Sequence, residues 1–202
     1  MSRELLNCYQ VAMASHPVSN LTEEQYLAIE RAAEVKSEFL DGVMYAMSGG
    51  SPRHADLHGN IFAELRAMLR GGQCKPYNSD LRVRVSSRMY TYPDVSVVCG
   101  KLQLADEQKD ILLNPIVIFE VLSPSTEQHD RGVKFQLYRT IPSLREYILV
   151  DQNKARIEQY IYQDATTWTL RDHQGLDAEL KLDSIGASLP LRLIYDGVDL
   201  ES

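Results

Sequence analysis

Two carboxylates stand where carboxylates are costly. Glu120 interrupts Ile116-Val117-Ile118-Phe119-Glu120-Val121-Leu122, the most apolar stretch of the chain, and Asp94 heads Asp94-Val95-Ser96-Val97-Val98. Stripping an unpaired carboxylate of water costs several kcal/mol, so a buried strand keeps one only where a partner offsets the loss. A divalent cation is one such partner, because Mg²⁺ takes oxygen ligands from one or two carboxylates. A strand end that meets solvent or an arginine is another. That bland account suits Asp94 taken alone, whereas Glu120, apolar on both sides, points to function. Glu38, beside Phe39 and Leu40, is the third candidate. Lys134 is the candidate cation, since a lysine near metal-bound carboxylates orients or deprotonates an attacking water and stabilises transition-state charge. Most helix lysines are merely solvated, so Lys134 gains weight only beside the carboxylates.

The elements that must position these residues are legible in outline. Thr22 with Gln25 three residues later reads as a capping box, Leu21 as its staple, and Tyr26, Leu27, Ile29 and Ala33 as the stripe of the helix that follows. Asp41-Gly42 between apolar alternations predicts a two-residue hairpin that carries Glu38 on its entering strand. Ser51-Pro52 opens a second helix with Leu57, Ile61, Leu65, Met68 and Leu69 on one buried face, ended by Gly71-Gly72. Strands are expected over 81–85 and 95–99. The run 116–122 reads as a strand buried on both faces, and Ser123-Pro124-Ser125-Thr126 breaks it. A helix over 131–139, a strand over 146–150 and an alternating late meander around 157–161, 167–170 and 180–182 complete the order. The expected fold class is α/β or α+β, a mixed central sheet flanked by helices, with residues 1–19 as an arm and 20–202 as one domain.

Composition bounds the function. At 202 residues, 44% hydrophobic and 24% charged, the chain has an ordinary globular balance, which excludes disordered, collagenous and coiled-coil classes. No apolar run is long enough for a membrane helix, and Met1 to Pro17 lacks the pattern of a signal peptide, so the expected location is cytoplasmic. Cys8, Cys74 and Cys99 are odd in number and widely spaced, and are expected to form neither a disulfide framework nor a zinc site; Cys99 reads as a small core residue. The net charge of −7 argues against general nucleic-acid affinity, yet residues 66–101 carry seven basic side chains against two acidic. Arg82 and Arg84 within that stretch are candidate contacts to flanking phosphates, or members of a solvated strand face. His54 and His58 lie one turn apart but lack the neighbouring glutamate and third ligand of a zinc helix. His16, His129 and His173 are expected to have no specific role, and Asp80 reads as a turn residue. No GxSxG or Cys–His pairing supports a small-molecule hydrolase.

Taken in order, these pieces resemble the PD-(D/E)XK nuclease superfamily, and within it a large bacterial branch of restriction-endonuclease-like proteins. The residues that carry the likeness are the Glu38 hairpin, the His54 helix start, Tyr92-Pro93-Asp94-Val95, Glu120-Val121-Leu122-Ser123-Pro124-Ser125, Lys134 with Tyr138, and Glu146-Tyr147-Ile148-Leu149-Val150-Asp151. Leu122 occupies the place of the superfamily's usual strand lysine, and in this branch a lysine on the following helix, matched by Lys134, stands in for it. The resemblance spans about Leu21 to Asp199. It implies a restriction-endonuclease-like fold and cleavage of phosphodiester bonds, most simply in DNA, with Mg²⁺ or Mn²⁺ as cofactor. Asp94 and Glu120 would be the metal ligands, Glu38 and Lys134 would complete the catalytic set, and His54 would lie at the rim. The alternative is a catalytically inactive module that binds nucleic acid or protein on the same fold. A homodimer is expected, because two nearby cuts on opposite strands need two sites.

Overall fold

The computed structural model describes residues 17–124 and 126–201. Cys8, His16 and all of the expected arm except 17–19 lie outside that range; Val18 pairs with Met44. Helix α1 (Glu23–Glu30) starts at Thr22, whose hydroxyl accepts the Gln25 N–H while the Gln25 side chain accepts the Thr22 N–H, the capping box the sequence shows. Strands β1 (Ser37–Leu40) and β2 (Val43–Ala46) form the expected hairpin. Asp41 and Gly42 adopt φ of 50° and 84°, and a type I′ turn requires positive φ at both positions. Helix α2 (Pro52–Met68), capped by Ser51, buries Leu57, Ile61 and Leu65. Met68, expected on that face, is exposed because the steps of four carry the stripe on to Leu69, which packs on the core instead.

Strands β3 (Cys74–Asn78), β4 (Arg82–Ser86), β5 (Met89–Thr91), β6 (Val95–Cys99), β7 (Ile111–Leu112) and β8 (Val117–Leu122) follow. A helical segment over 127–138, α3, consists of Glu127–His129, a π-helical turn Asp130–Lys134 and Phe135–Tyr138. Then come β9 (Glu146–Asp151), β10 (Arg156–Tyr162), β11 (Trp168–Gln174), β12 (Glu179–Leu182), β13 (Ala187–Pro190) and the short α4 (Leu191–Ile194). Six strands form a mixed sheet in the order β11-β10-β9-β8-β6-β3, and five form a second sheet, β2-β1-β5-β4-β7. In the six-stranded sheet only β8 and β9 are parallel, so α3 is the crossover between them.

That crossover decides where Glu120 points. All six residues of β8 are buried. Val117, Phe119 and Val121 join the core beneath α2, and Ile118 and Leu122, two residues either side of Glu120, join the core that includes Tyr138 of α3. The strand's two-residue period therefore aims Glu120 toward α3. Phe135 stacks on Tyr147 of β9 at 5.7 Å and meets Trp168 edge-on at 5.6 Å, which fixes the helix on the sheet. Tyr160 also lies against Phe135, so the late aromatics help to hold α3.

Two expectations about the cysteines fail. Cys74 and Cys99 are joined in a disulfide, directly opposite one another on β3 and β6, and Cys99 is half-buried rather than a core thiol. The pairing is hidden in the sequence because Pro76 argues against a strand over 74–78; β3 is an edge strand, where a missing N–H is tolerated.

Candidate active site

The structure gathers Glu38, Glu120 and Lys134 around one point. The Lys134 Nζ lies 3.0 Å from Glu120 Oε1, 3.2 Å from Glu38 Oε1 and 3.4 Å from Asp130 Oδ1. Glu38 arrives on β1, where the neighbouring β5 places Thr91 to donate its hydroxyl to Glu38 Oε1. Tyr138, one turn after Lys134, donates to Glu120 Oε1 at 2.8 Å, with its oxygen 3.3 Å from Thr91 Oγ1. Asp94 sits just before β6, beside the central strand β8, and its Oδ2 accepts the Val121 N–H at 2.7 Å. The residue next to Glu120 thereby ties the two carboxylates together. His54, on the first turn of α2, places Nε2 3.3 Å from the same Asp94 oxygen, and Ser51 holds the His54 backbone through the cap.

The electrostatics separate these groups. Burial pushes the Glu120 carboxyl up to about 8; Lys134 opposes that rise, and the charges of Asp130, Asp94 and Glu38 add to it. Burial also works against an ionised Glu38, but the Lys134 charge and the Thr91 hydrogen bond outweigh it and hold that carboxyl below its ordinary value. For Lys134, burial favours the neutral amine, yet Glu120 and Glu38 dominate and keep it a firmly held ammonium. Donation of its Nε2–H to the Asp94 carboxylate raises the His54 imidazole above its usual value. Four carboxylates thus share one lysine and one histidine.

Such a donor set fits a divalent ion. Among the described residues, Asp94 Oδ1 and Glu120 Oε2 take no hydrogen bond and Glu120 Oε1 faces Lys134, so each acid has an oxygen to give. No group of three or more His, Cys, Asp or Glu side chains among the described residues makes a ready cage. Mg²⁺ needs none, since it retains waters and is commonly held by one or two carboxylates with substrate phosphates.

Other expected site residues are not brought here. Arg82 is buried in the five-stranded sheet, donating to Tyr92 Oη at 2.9 Å and lying 3.5 Å from Asp110. Arg84 pairs with Glu23 at 3.0 Å, and Arg88 with Asp41. Neither Arg82 nor Arg84 is therefore a free phosphate contact. Arg66 and Arg70 lie exposed at the far end of α2, about 25 Å along a 17-residue helix from the end that carries His54. Asp80 pairs with Lys36 at 2.6 Å, as suits a turn residue.

Asp130 and Thr91 were not legible as site residues: an aspartate ahead of a helix reads as a cap, and a threonine in a strand as a β-former. The π-helical turn that carries both Asp130 and Lys134 is the local signal, because such turns cluster at functional sites, but only the structure displays it.

A mixed sheet with a β8–α3–β9 crossover, with a carboxylate from each of the two sheets facing a helix lysine, defines a restriction-endonuclease-like α+β protein. The structure superposes on the crystal structure of a protein from Anabaena variabilis titled a putative nuclease belonging to DUF820, with a TM-score of 0.71 at 17% identity over 87% of this chain and 97% of that one. The model of the Uma2 family, described as "Putative restriction endonuclease", matches residues 23–192, and the chain belongs to that family. Two uncharacterized proteins of a Synechocystis strain are similar along nearly their whole lengths. One is 39% identical over 91% of this chain and 96% of its own, the other 36% identical over 80% and 92%. No helix among the described residues is long and apolar enough to cross a membrane.

Proposed function

We propose that the protein is a metal-dependent nuclease that hydrolyses phosphodiester bonds in DNA. The observation that carries this reading is the convergence of Glu120, Glu38 and Asp130 on Lys134, with Asp94 tied to the neighbouring residue Val121. Asp94 and Glu120 would hold Mg²⁺ or Mn²⁺, which lowers the pKa of bound water and offsets charge on the scissile phosphate. Lys134 orients the attacking water and meets the negative charge that develops as the phosphate becomes five-coordinate. Glu38, kept ionised by Lys134 and Thr91, accepts a hydrogen bond from that water and fixes its direction. Tyr138 holds Glu120 in one rotamer through its hydroxyl. His54, partly exposed on the Asp94 side, is placed to donate to a phosphate oxygen. Paired cuts would require a homodimer with one such pocket in each copy.

Plasmid cleavage tests the proposal. Nicking or linearisation should appear with Mg²⁺ or Mn²⁺, vanish in chelator, and fall at least about 10²-fold in Glu120→Ala, the scale of losing a placed catalytic group. DNA bound equally well in chelator, with no cleavage in either metal, would replace this reading with a binding module on the same fold.

A further inference from the structure

We infer that Asp130 is the positioning residue for Lys134, the partner that keeps the ammonium aimed into the pocket when Glu120 turns to a metal ion; the role rests on the nuclease reading above. Three carboxylates face Lys134, and two of them have other work. Glu38 Oε1 also accepts from Thr91, and Glu120 Oε1 accepts from Tyr138. Asp130 differs. It is 2% exposed, and its Oδ1 has no hydrogen bond although Lys134 Nζ stands 3.4 Å away. A buried carboxylate oxygen without a hydrogen bond is expensive, and such a group calls for a reason. The distance already allows a hydrogen bond, so a small swing of the Lys134 ammonium into line would supply the missing one.

The backbone makes the arrangement dependable. Asp130 and Lys134 begin and end the same π-helical turn, so their separation is set within one element and not by how a helix docks on a sheet. The Asp130 carbonyl accepts the Tyr147 hydroxyl at 3.2 Å, which pins that turn to β9. Glu120, by contrast, belongs to β8 and meets Lys134 only across the helix–sheet interface. A cation held at Glu120 Oε2 would draw charge from that carboxylate and loosen the hold of Oε1 on Lys134, and Asp130 would then be the fully buried partner that remains.

The test uses Asp130→Asn and Asp130→Glu in the full chain. Asp130→Asn should lower kcat by about 10- to 100-fold with KM nearly unchanged, the usual scale for removing an orienting partner, and Asp130→Glu should recover most of the loss. A second readout needs no activity. The slowly exchanging Lys134 ammonium resonance, assigned by its absence in Lys134→Met, should shift or broaden in Asp130→Asn metal-free protein and return in Asp130→Glu. Mn²⁺ affinity by calorimetry should stay within about threefold of wild type; a fall beyond tenfold would make Asp130 a metal ligand and overturn the positioning role. An unchanged ammonium resonance would overturn it as well. If the wild type cleaves nothing, the nuclease reading fails, while the resonance still decides whether Asp130 holds Lys134.

Discussion

Among the described residues two cations are buried among acids, Lys134 in the pocket and Arg82 inside the five-stranded sheet, and only one of them is outnumbered in its immediate surroundings. Arg82 lies 5.5 and 5.4 Å from the ring centres of Tyr26 and Tyr92, donates to Tyr92 Oη, and reaches toward Asp110. Tyr92 passes the interaction on to Glu30, which accepts the Ser37 N–H at 3.0 Å, and Tyr26 donates to the Ser37 carbonyl at 2.8 Å. Asp110 is shared with Arg31, so cations and carboxylates nearly balance there. Lys134 faces Glu38, Glu120 and Asp130 alone, with Asp94 beyond. The balanced cluster builds. It grips β1 at the residue before Glu38 and the chain at Tyr92, two residues before Asp94. The unbalanced cluster retains an excess of negative charge that a bound cation would offset.

Substituting each cation should therefore cost a different quantity. Lys134→Met should lower cleavage by about 10²- to 10⁴-fold in single-turnover assays, because it removes a positioned group in the reacting pocket. Its stability should change less than that of Arg82→Met, since Glu120 already favours its protonated form and can relieve the lost charge by holding a proton. Arg131 and Arg139 are the competing cations, but Arg131 is committed to Glu158 and Glu127 and Arg139, at the end of α3, lies over the Phe135 ring at 5.7 Å. Cleavage that survives Lys134→Met and dies with Arg131→Ala would reverse the assignment.

Arg82→Met should be the more damaging change to folding. Breaking a buried charge pair by removing one partner costs about 3–5 kcal/mol, because the remaining charge stays buried without compensation. Denaturant titration of both variants decides the matter. Equal losses for Lys134→Met and Arg82→Met would mean that the two clusters differ in place and not in kind.

The comparison also shows what a sequence can and cannot carry. Glu120 was visible because a carboxylate within an apolar run conflicts with its surroundings, and conflict is readable in one dimension. Asp94, Glu38 and Lys134 became convincing as an ordered set. Arg82 was misread because Arg82, Val83, Arg84 and Val85 alternate, and alternation normally assigns the polar set to solvent. Here α1 lays Tyr26 over the other face of that sheet, so Arg82 is enclosed. Its sign was in the sequence; its burial depended on a helix that ends at Glu30, far earlier in the chain. Pro76 hid β3 and the Cys74–Cys99 pairing in the same way, since an edge position is a property of the sheet.

The finest distinction between the clusters is their response to pH. In the metal-free pocket Glu120 has its carboxyl raised from an ordinary value of 4.5 to about 8. A raised carboxyl favours the folded state below its unfolded value, and that contribution fades as pH rises through about 8. Glu38 has the opposite sign: its lowered carboxyl contributes above its unfolded value, and the contribution fades on acidification. A metal ion bound by Glu120 must displace the proton, so affinity should rise by up to about tenfold per pH unit across pH 6–8 and then level. Calorimetry with Mg²⁺ or Mn²⁺ in buffers of different ionisation enthalpy should register close to one proton released per ion near pH 7. Glu120→Gln should abolish that release and weaken binding, whereas Arg82→Met, if folded, should leave it intact. Proton release that persists in Glu120→Gln would place the titrating group elsewhere, with His54 on Asp94 the first alternative.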